Sequence, residues 1–471
     1  MDKIEYAHEI FQKWLGTDYD LDVLDVVLAV AAGDQLDGDP AWLQVVGGPG
    51  SGKTETVVTL EAAGAHVTSS ISSEGALLSA TSKKEKSVDA TGGLLRKIGS
   101  SGILVLKDFT TVLAQNRDTR ATVLAALREV YDGSWSRNVG TDGGMTLSWT
   151  GRIVLISAVT TAWDQAHAVI AEMGDRFILV RMDSTKGRAR ASHRAIRNTG
   201  DEIAMRSELA GAVKTALVVD RAAELDVSEA EGNFLVALAD LVTLARTAVI
   251  RDYAGNVVDA HAPEMPTRFV KQLTQVIRGS LALGMSRDRA VALARRCAAD
   301  SMPPLRLACL LDIAEHPESL VSDVRKRVDK PRSTIDRELQ ALHMLGLLTL
   351  TEIGIGNRTE WRYSIADADH ADALALLISG IREPSPDLLQ PTYGIEPTPA
   401  LRKVGNFGNG SNPVAFRESD ITPAYKPTEP TEPVKPTGAV GQKPSGATCP
   451  KHGTPTHQGM CGRCAAEAVT V

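Results

Sequence analysis

Trp42-Leu43-Gln44-Val45-Val46 runs directly into Gly47-Gly48-Pro49-Gly50-Ser51-Gly52-Lys53-Thr54, with Glu55 next and a helical stretch beyond. The eight residues from Gly47 match G-x-x-x-x-G-K-[ST], and they lie where that pattern carries meaning, between a strand and a helix. Small residues let the backbone curl so that successive N–H groups face phosphate oxygens, and the following helix adds its positive end. Gly47, Gly48, Pro49, Gly50, Ser51, Gly52, Lys53, Thr54 and Glu55 are therefore the expected ATP-binding residues. Lys53 would meet the β- and γ-phosphates and the Thr54 hydroxyl would hold Mg²⁺.

A phosphate loop that handles Mg²⁺ needs a second acidic group. Ile103-Leu104-Val105-Leu106-Lys107-Asp108 supplies one, an apolar strand that ends in a carboxylate. Many such ATPases place Glu after this Asp to orient the attacking water, whereas here the position is Phe109. Glu55 offers a substitute base, and it equally suits a first-turn acid favoured by the helix dipole.

Outward from these motifs, short β-branched runs alternate with helical stretches from Trp42 to about Asp183, the pattern of a parallel sheet with crossover helices. The expected strands are Trp42–Val46, Ile103–Leu106, Ile153–Ile156 and Phe177–Val180, each nearly continuous in apolar residues. The fold class is thus α/β. The sequence divides into a helical segment (1–40), a phosphate-loop core (41–199), a helical lid (200–303), a winged helix-turn-helix (304–366), a proline-rich linker (367–448) and a metal-binding tail (449–471). The linker rests on composition: 14 of the 22 prolines fall in 384–471, around Lys426-Pro427-Thr428-Glu429-Pro430.

Composition excludes several classes. With 471 residues, 43% hydrophobic, the chain can bury sizeable cores, and no apolar run approaches the roughly 20 residues of a membrane helix. The N-terminus lacks a secretory pattern, and five cysteines cannot build a disulfide framework. A soluble, cytoplasmic protein is expected. The net charge of −7 argues against a protein basic all over but leaves room for a local basic patch.

After Asp108 come the helical stretch DTRATVLAALREVYDG, then Ser134–Val139 and Thr146–Trp149 as arms of a hairpin tipped by Thr141-Asp142-Gly143-Gly144, then the strand GRIVLISAVT. This order resembles the AAA+ ATPases that carry a hairpin before the sensor-1 strand, the group of minichromosome maintenance (MCM) and superfamily 3 helicases. Gly174-Asp175-Arg176-Phe177 resembles the arginine-finger segment of MCM proteins, and Pro266-Thr267-Arg268-Phe269 resembles the start of the sensor-2 helix. The resemblance, over about residues 20–300, implies catalytic roles beside Lys53 and Asp108. Ser157 or Thr160 would stand at sensor 1, where the family more often has Asn. Arg176 would reach the γ-phosphate of a neighbouring subunit, and Arg268 would contact phosphate from the lid of its own subunit. It also implies a homo-oligomeric ring. Lys83-Lys84-Glu85-Lys86 and Arg137 are weaker candidates to face nucleic acid.

Residues 304–366 read as three helices followed by two strands around a Gly354–Asn357 turn. They resemble MarR-type winged helices and the C-terminal winged helix of MCM proteins. Arg332, Ser333, Thr334 and Arg337 open the helix that would read DNA bases, with Arg358 or Arg362 on the wing. In the tail, Cys449-x-x-His452 and Cys461-x-x-Cys464 supply four ligands for a structural Zn²⁺, with His457 as an alternative. Two functions fit: a DNA-dependent AAA+ motor, similar to phage and mobile-element ATP-binding proteins, or a winged-helix DNA-binding regulator switched by ATP with little hydrolysis. The bare sequence disfavours a small-molecule kinase, because no acceptor-site signature follows the loop.

Overall fold

The structure, a computed structural model, describes residues 2–80, 92–140, 144–166, 175–185, 187–355 and 358–379. All of the described residues belong to one compact unit.

Its centre is a parallel sheet of five strands: β1 (Trp42–Gly47), β2 (His66–Thr68), β3 (Ser101–Leu106), β6 (Arg152–Val159) and β7 (Phe177–Met182). They lie in the order β2-β3-β6-β1-β7. Between β3 and β6 the chain forms a separate antiparallel hairpin of β4 (Ser134–Val139) and β5 (Met145–Thr150). The α/β expectation therefore holds. The four expected strands are all present, while β2 is short and half-buried and gave no apolar run to read.

Alternation along the strands builds two cores. Leu43, Val45, Val105, Ile156, Ile178 and Val180 face one side, and Trp42, Val46, Leu104, Leu155, Phe177 and Leu179 the other. The second side is an aromatic cluster. Trp42 meets Tyr131 edge-on at 5.2 Å, and Phe177 meets both Phe109 and Trp163 at 5.5 Å.

The first side is covered by helix Leu21–Ala32, which is buried almost all round. It crosses helix Thr267–Ala282 at Gly279, where backbone meets backbone. Its one buried carboxylate, Asp25, is matched by His8 (Oδ1 to Nε2, 2.6 Å) and by Arg289 (Oδ2 to Nε, 3.0 Å) of helix Arg287–Asp300. One hydrophobic cluster runs from Ile4 through the sheet and the 200–303 helices to Leu377. Residues 1–40 are helical, as the sequence suggests, and pack into this core.

Residues 200–303 contain a hairpin that the reading of 200–300 as almost wholly helical missed, β8 (Val249–Arg251) with β9 (Val257–Ala260). Residues 304–366 form helices Pro304–Glu315, Val321–Arg327 and Arg332–Met344 and a three-stranded antiparallel sheet. Its strands β10 (Ser319–Leu320), β11 (Leu348–Ile355) and β12 (Arg358–Ile365) lie in the order β10-β12-β11. The linker start at 367 needs correction: Ala368–Ile378 is a helix capped by Asp367, and Ala373, Leu374 and Leu377 bury its apolar face in the main core. Among the described residues no helix is long and apolar enough to cross a membrane.

The helix crossing makes a prediction. A Cβ on Gly279 would stand 2.0 Å from the Ala29 carbonyl oxygen. Alanine gains about 1 kcal/mol of helix propensity over glycine, but overpacking backbone against backbone costs about 1–3 kcal/mol or more. Gly279→Ala should therefore lower the thermal midpoint. Gly211→Ala, within helix Glu202–Ala216 and with nothing within 4 Å of the added carbon, should raise it. Calorimetric melting of the two variants checks both signs.

Candidate nucleotide site

All five strands point the same way, so their C-terminal ends share one edge of the sheet. At that edge Gly48–Gly52 curls from β1 into helix Lys53–Val58, with Gly50 (φ +75) and Gly52 (φ +91) in the left-handed region that favours glycine. Lys53 is only 7% exposed and donates from Nζ to the Gly48 carbonyl at 2.7 Å and to Ser51 Oγ at 3.3 Å. Burial pushes its pKa down, and the charge of Asp108 opposes the shift. The carboxylate of Asp108 is thus close enough for its field to be felt at Lys53, without an ion pair between them. With β6 between β1 and β3, the two bearing strands lie two spacings apart, about 10 Å. Thr54 and Asp108 are both exposed, as groups that share a hydrated Mg²⁺ must be. Their hard oxygen donors fit that ion.

The structure separates the sensor-1 alternatives. Ser157 is fully buried and donates to Gln44 Oε1 (2.5 Å) within the sheet. Thr160 lies past the end of β6, with its hydroxyl 3.4 Å from that of Thr110, two residues beyond Asp108. Only Thr160 is at the working edge. Glu55 is held by Arg206, its Oε1 at 3.0 Å from Nη2 and its Oε2 at 3.2 Å from Nε. That leaves the carboxylate committed to an ion pair.

Beside the loop opens a cavity of about 910 Å³. Its apolar wall includes Trp14, Tyr19, Met182, Ala195 and Met205, a group sequence reading did not single out. Tyr19 is tied to Thr56 of the loop helix, Oη to Oγ1 at 2.8 Å, and burial pushes its phenol well above the ordinary range. The only sequence signal was position: an aromatic two residues before a buried helix.

Arg176 and Arg268 share one place in the fold, and for Arg268 it is not the one expected within its own subunit. β7 pairs with β1 from Phe177↔Trp42 to Met182↔Gly47, so Arg176, just before β7, lies a full strand length from the glycine loop, roughly 16 Å. Arg268 sits at the same far end, with Nη1 donating to the Asp175 carbonyl (3.2 Å) and to Glu264 (3.1 Å). It cannot serve the phosphate loop of its own chain, because the helix it opens docks at the opposite edge of the sheet. The two arginines are neighbours: burial lowers the Arg176 pKa, and the charge of Arg268 adds to the shift. Arg176 also contacts Asp132 (3.4 Å) and stacks over Tyr131.

Among the expected nucleic-acid residues, Arg332 and Ser333 are exposed and Thr334 is half-buried. Arg337 is engaged, donating from Nη2 to the Ala254 carbonyl in the β8–β9 turn (2.5 Å). Arg137 is likewise occupied, by Glu74 (2.9 Å) and the Leu78 carbonyl (3.1 Å). Arg362 pairs with Glu360 (3.2 Å). Lys83–Lys86, the hairpin tip 141–143, Gly174, the side chain of Arg358 and all of Cys449, His452, His457, Cys461 and Cys464 lie outside the described residues. Among the described residues no group of His, Cys, Asp and Glu is arranged to hold a metal, while Cys297 and Cys309 are buried, as expected of apolar cysteines.

No family model and no curated protein matches this chain. Among solved structures, the apo A form of the NrS-1 C-terminal region matches at 12% identity over 77% of this chain and 76% of that chain, with a TM-score of 0.21. A likeness of that size carries no argument about this protein.

Phe109, at the position where many phosphate-loop ATPases place a glutamate, is fully buried in the aromatic cluster, 5.8 Å from Trp163. Phe109→Glu should therefore destabilise the fold by about 3 kcal/mol or more without adding a base. A lowered denaturation midpoint with no gain in ATP turnover is the expected result.

Proposed function

We propose that this chain is an ATP-binding AAA+ protein that acts on DNA as a homo-oligomer. The observation that carries the reading is Lys53: a nearly buried ammonium held by the carbonyl of its own glycine loop, with an exposed strand-end carboxylate, Asp108, as its electrostatic partner. Such a lysine exchanges one carbonyl for the β- and γ-phosphates. Mg²⁺, when bound by Thr54 and Asp108, would supply charge neutralisation at the phosphates. The sheet order supports the same reading, because an extra strand between β1 and β3 is what separates loop and carboxylate by the width of a hydrated ion. The hairpin β4–β5 before β6 is where the resemblance expects it.

Arg176 and Arg268, side by side at the far end of β7, are proposed to act together on the nucleotide of a neighbouring subunit. Two adjacent cations at a distance from their own loop suit an anion that arrives from outside the chain. Helix Arg332–Met344, with Arg332 and Ser333 exposed, and the antiparallel sheet that follows are proposed as a winged helix on duplex DNA. The tail is proposed to hold one zinc ion through Cys449, His452, Cys461 and Cys464.

A second reading, an ATP-switched DNA-binding regulator, is favoured by two side chains. Phe109 is core and Glu55 is paired with Arg206, so neither is free to orient water. ATP turnover with and without DNA separates the readings. DNA-stimulated hydrolysis on the order of 1 per second, abolished by Lys53→Ala, supports the motor. MgATP binding that alters duplex affinity without turnover supports the switch, and a wild type that binds no MgATP overturns both.

For the arginine pair, mixing Arg176→Ala with Lys53→Ala protein should restore part of the activity that each variant lacks alone; no recovery at any ratio would count against action across subunits. For the tail, metal analysis of the full chain should find about one zinc per molecule, lost in the double variant Cys461→Ser, Cys464→Ser.

A further inference from the structure

Helix Arg188–Arg197 follows β7 directly, carries four arginines and a histidine, and buries none of its residues. It contributes nothing to a core, so its position depends on polar contacts. Arg190 grips Asp18 through two bonds of 2.6 Å, and Arg194 Nη1 donates to the Lys13 carbonyl at 2.6 Å, at the end of helix Lys3–Leu15. Before the helix, Ser184 packs on the glycine loop so closely that a Cβ on Gly48 would lie 2.6 Å from its Oγ. Gly187, at φ +64, turns the chain against Asp18. These contacts pin the first turn of the helix over the phosphate-loop cavity, and Arg188 lines it.

Charge accounting then singles out one side chain. Of the carboxylates around the cavity, Asp18 is matched by Arg190, Asp20 by Arg296 and Glu55 by Arg206, while Asp183 accepts from the backbone N–H and the hydroxyl of Thr185. Glu202 accepts from the Gly200 backbone N–H at 2.8 Å. Arg194 is spent on main-chain carbonyls. Among the described residues, three cations lining the cavity have no acidic partner within ion-pair distance: Lys53, resting on Gly48, Arg194, on main-chain carbonyls, and Arg188, which alone of the three is exposed and makes no side-chain hydrogen bond. Since Arg268 lies at the other end of the sheet, no lid arginine from the sensor-2 position serves this loop.

We propose that Arg188 binds the phosphate chain of the nucleotide held by its own subunit, opposite Lys53, with the helix Arg188–Arg197 as its rigid mount. This rests on the nucleotide reading above and adds a residue to it. A planar guanidinium on the first turn of that helix, lining the same cavity as the glycine loop, suits bidentate contact with phosphate oxygens.

The test uses full-length protein and calorimetric titration with MgATP and with adenosine. Arg188→Ala should bind MgATP about tenfold more weakly, the scale of one charge-assisted hydrogen bond lost. Adenosine affinity and the thermal midpoint should not change, because the side chain holds nothing in the folded protein. Arg188→Lys should recover part of the loss. Arg197→Ala, exposed on the same helix but away from the cavity, should bind like the wild type. If the wild type binds MgATP and Arg188→Ala binds it equally well, or if MgATP and adenosine weaken together, the proposal is overturned. If the wild type binds no MgATP, the nucleotide reading fails first and this inference with it.

Discussion

Parallel pairing of five strands is the constraint on which the rest of the molecule depends. Because β1 is hydrogen-bonded to β6 on one side and β7 on the other, all in one direction, every C-terminal strand end emerges at one edge. That edge receives the glycine loop, Asp108, Thr160, Ser184 and Arg188. The opposite edge receives whatever precedes a strand, which is why Asp175 and Arg176 stand a strand length away from the loop. Direction alone sorts the polar residues into two groups with different partners.

The second constraint is the burial of helix Leu21–Ala32. A helix apolar on nearly every face must be wrapped, and the sheet, helix Thr267–Ala282 and helix Arg287–Asp300 do so. Charge inside that packing is compensated. Asp25 is met by His8 and Arg289, and Asp20 and Asp22 by Arg296, which also reaches the Arg181 carbonyl of β7 at 2.8 Å. Removing one partner from such a group leaves an uncompensated charge in a low-dielectric setting, which costs far more than a surface ion pair contributes. The network therefore ties the N-terminal helices and the lid to the strand that frames the glycine loop.

Chemistry at the working edge is shaped by what the core has claimed. Phe109 belongs to a ring cluster with Trp163 and Phe177, so the position next to Asp108 serves packing. Glu55, the acid next to Thr54 in the chain, is paired with Arg206. The contrast between the proposed motor and the proposed switch therefore turns on two acids, one position given to packing and one carboxylate given to an ion pair. In helix Arg332–Met344, Glu338 makes a comparable claim on two cations, Arg251 of β8 and Arg306, and so fastens that helix to the lid hairpin.

The sequence by itself determined the elements whose pattern is local. The glycine spacing from Gly47 to Lys53, the apolar runs of β1, β3, β6 and β7 and the two-residue alternation of β4 and β5 each follow from a short-range rule of backbone conformation or burial. Short or unpatterned pieces were not legible: β2 has three half-buried residues, and β8–β9 hides in a lid that reads as helical. The linker boundary failed because helix Ala368–Ile378 is too short for its own periodicity to outweigh the proline-rich composition beyond it. Tertiary structure alone decided which polar side chains meet. Arg268 and Arg188 look equivalent as isolated arginines, and only strand direction puts the first beside Arg176 and the second beside the glycine loop. Ser157 and Thr160 likewise differ only by where β6 ends. Spacing along the chain fixes conformation, whereas the distance between charges is set by how sheets and helices stack, and no run of neighbouring residues encodes that.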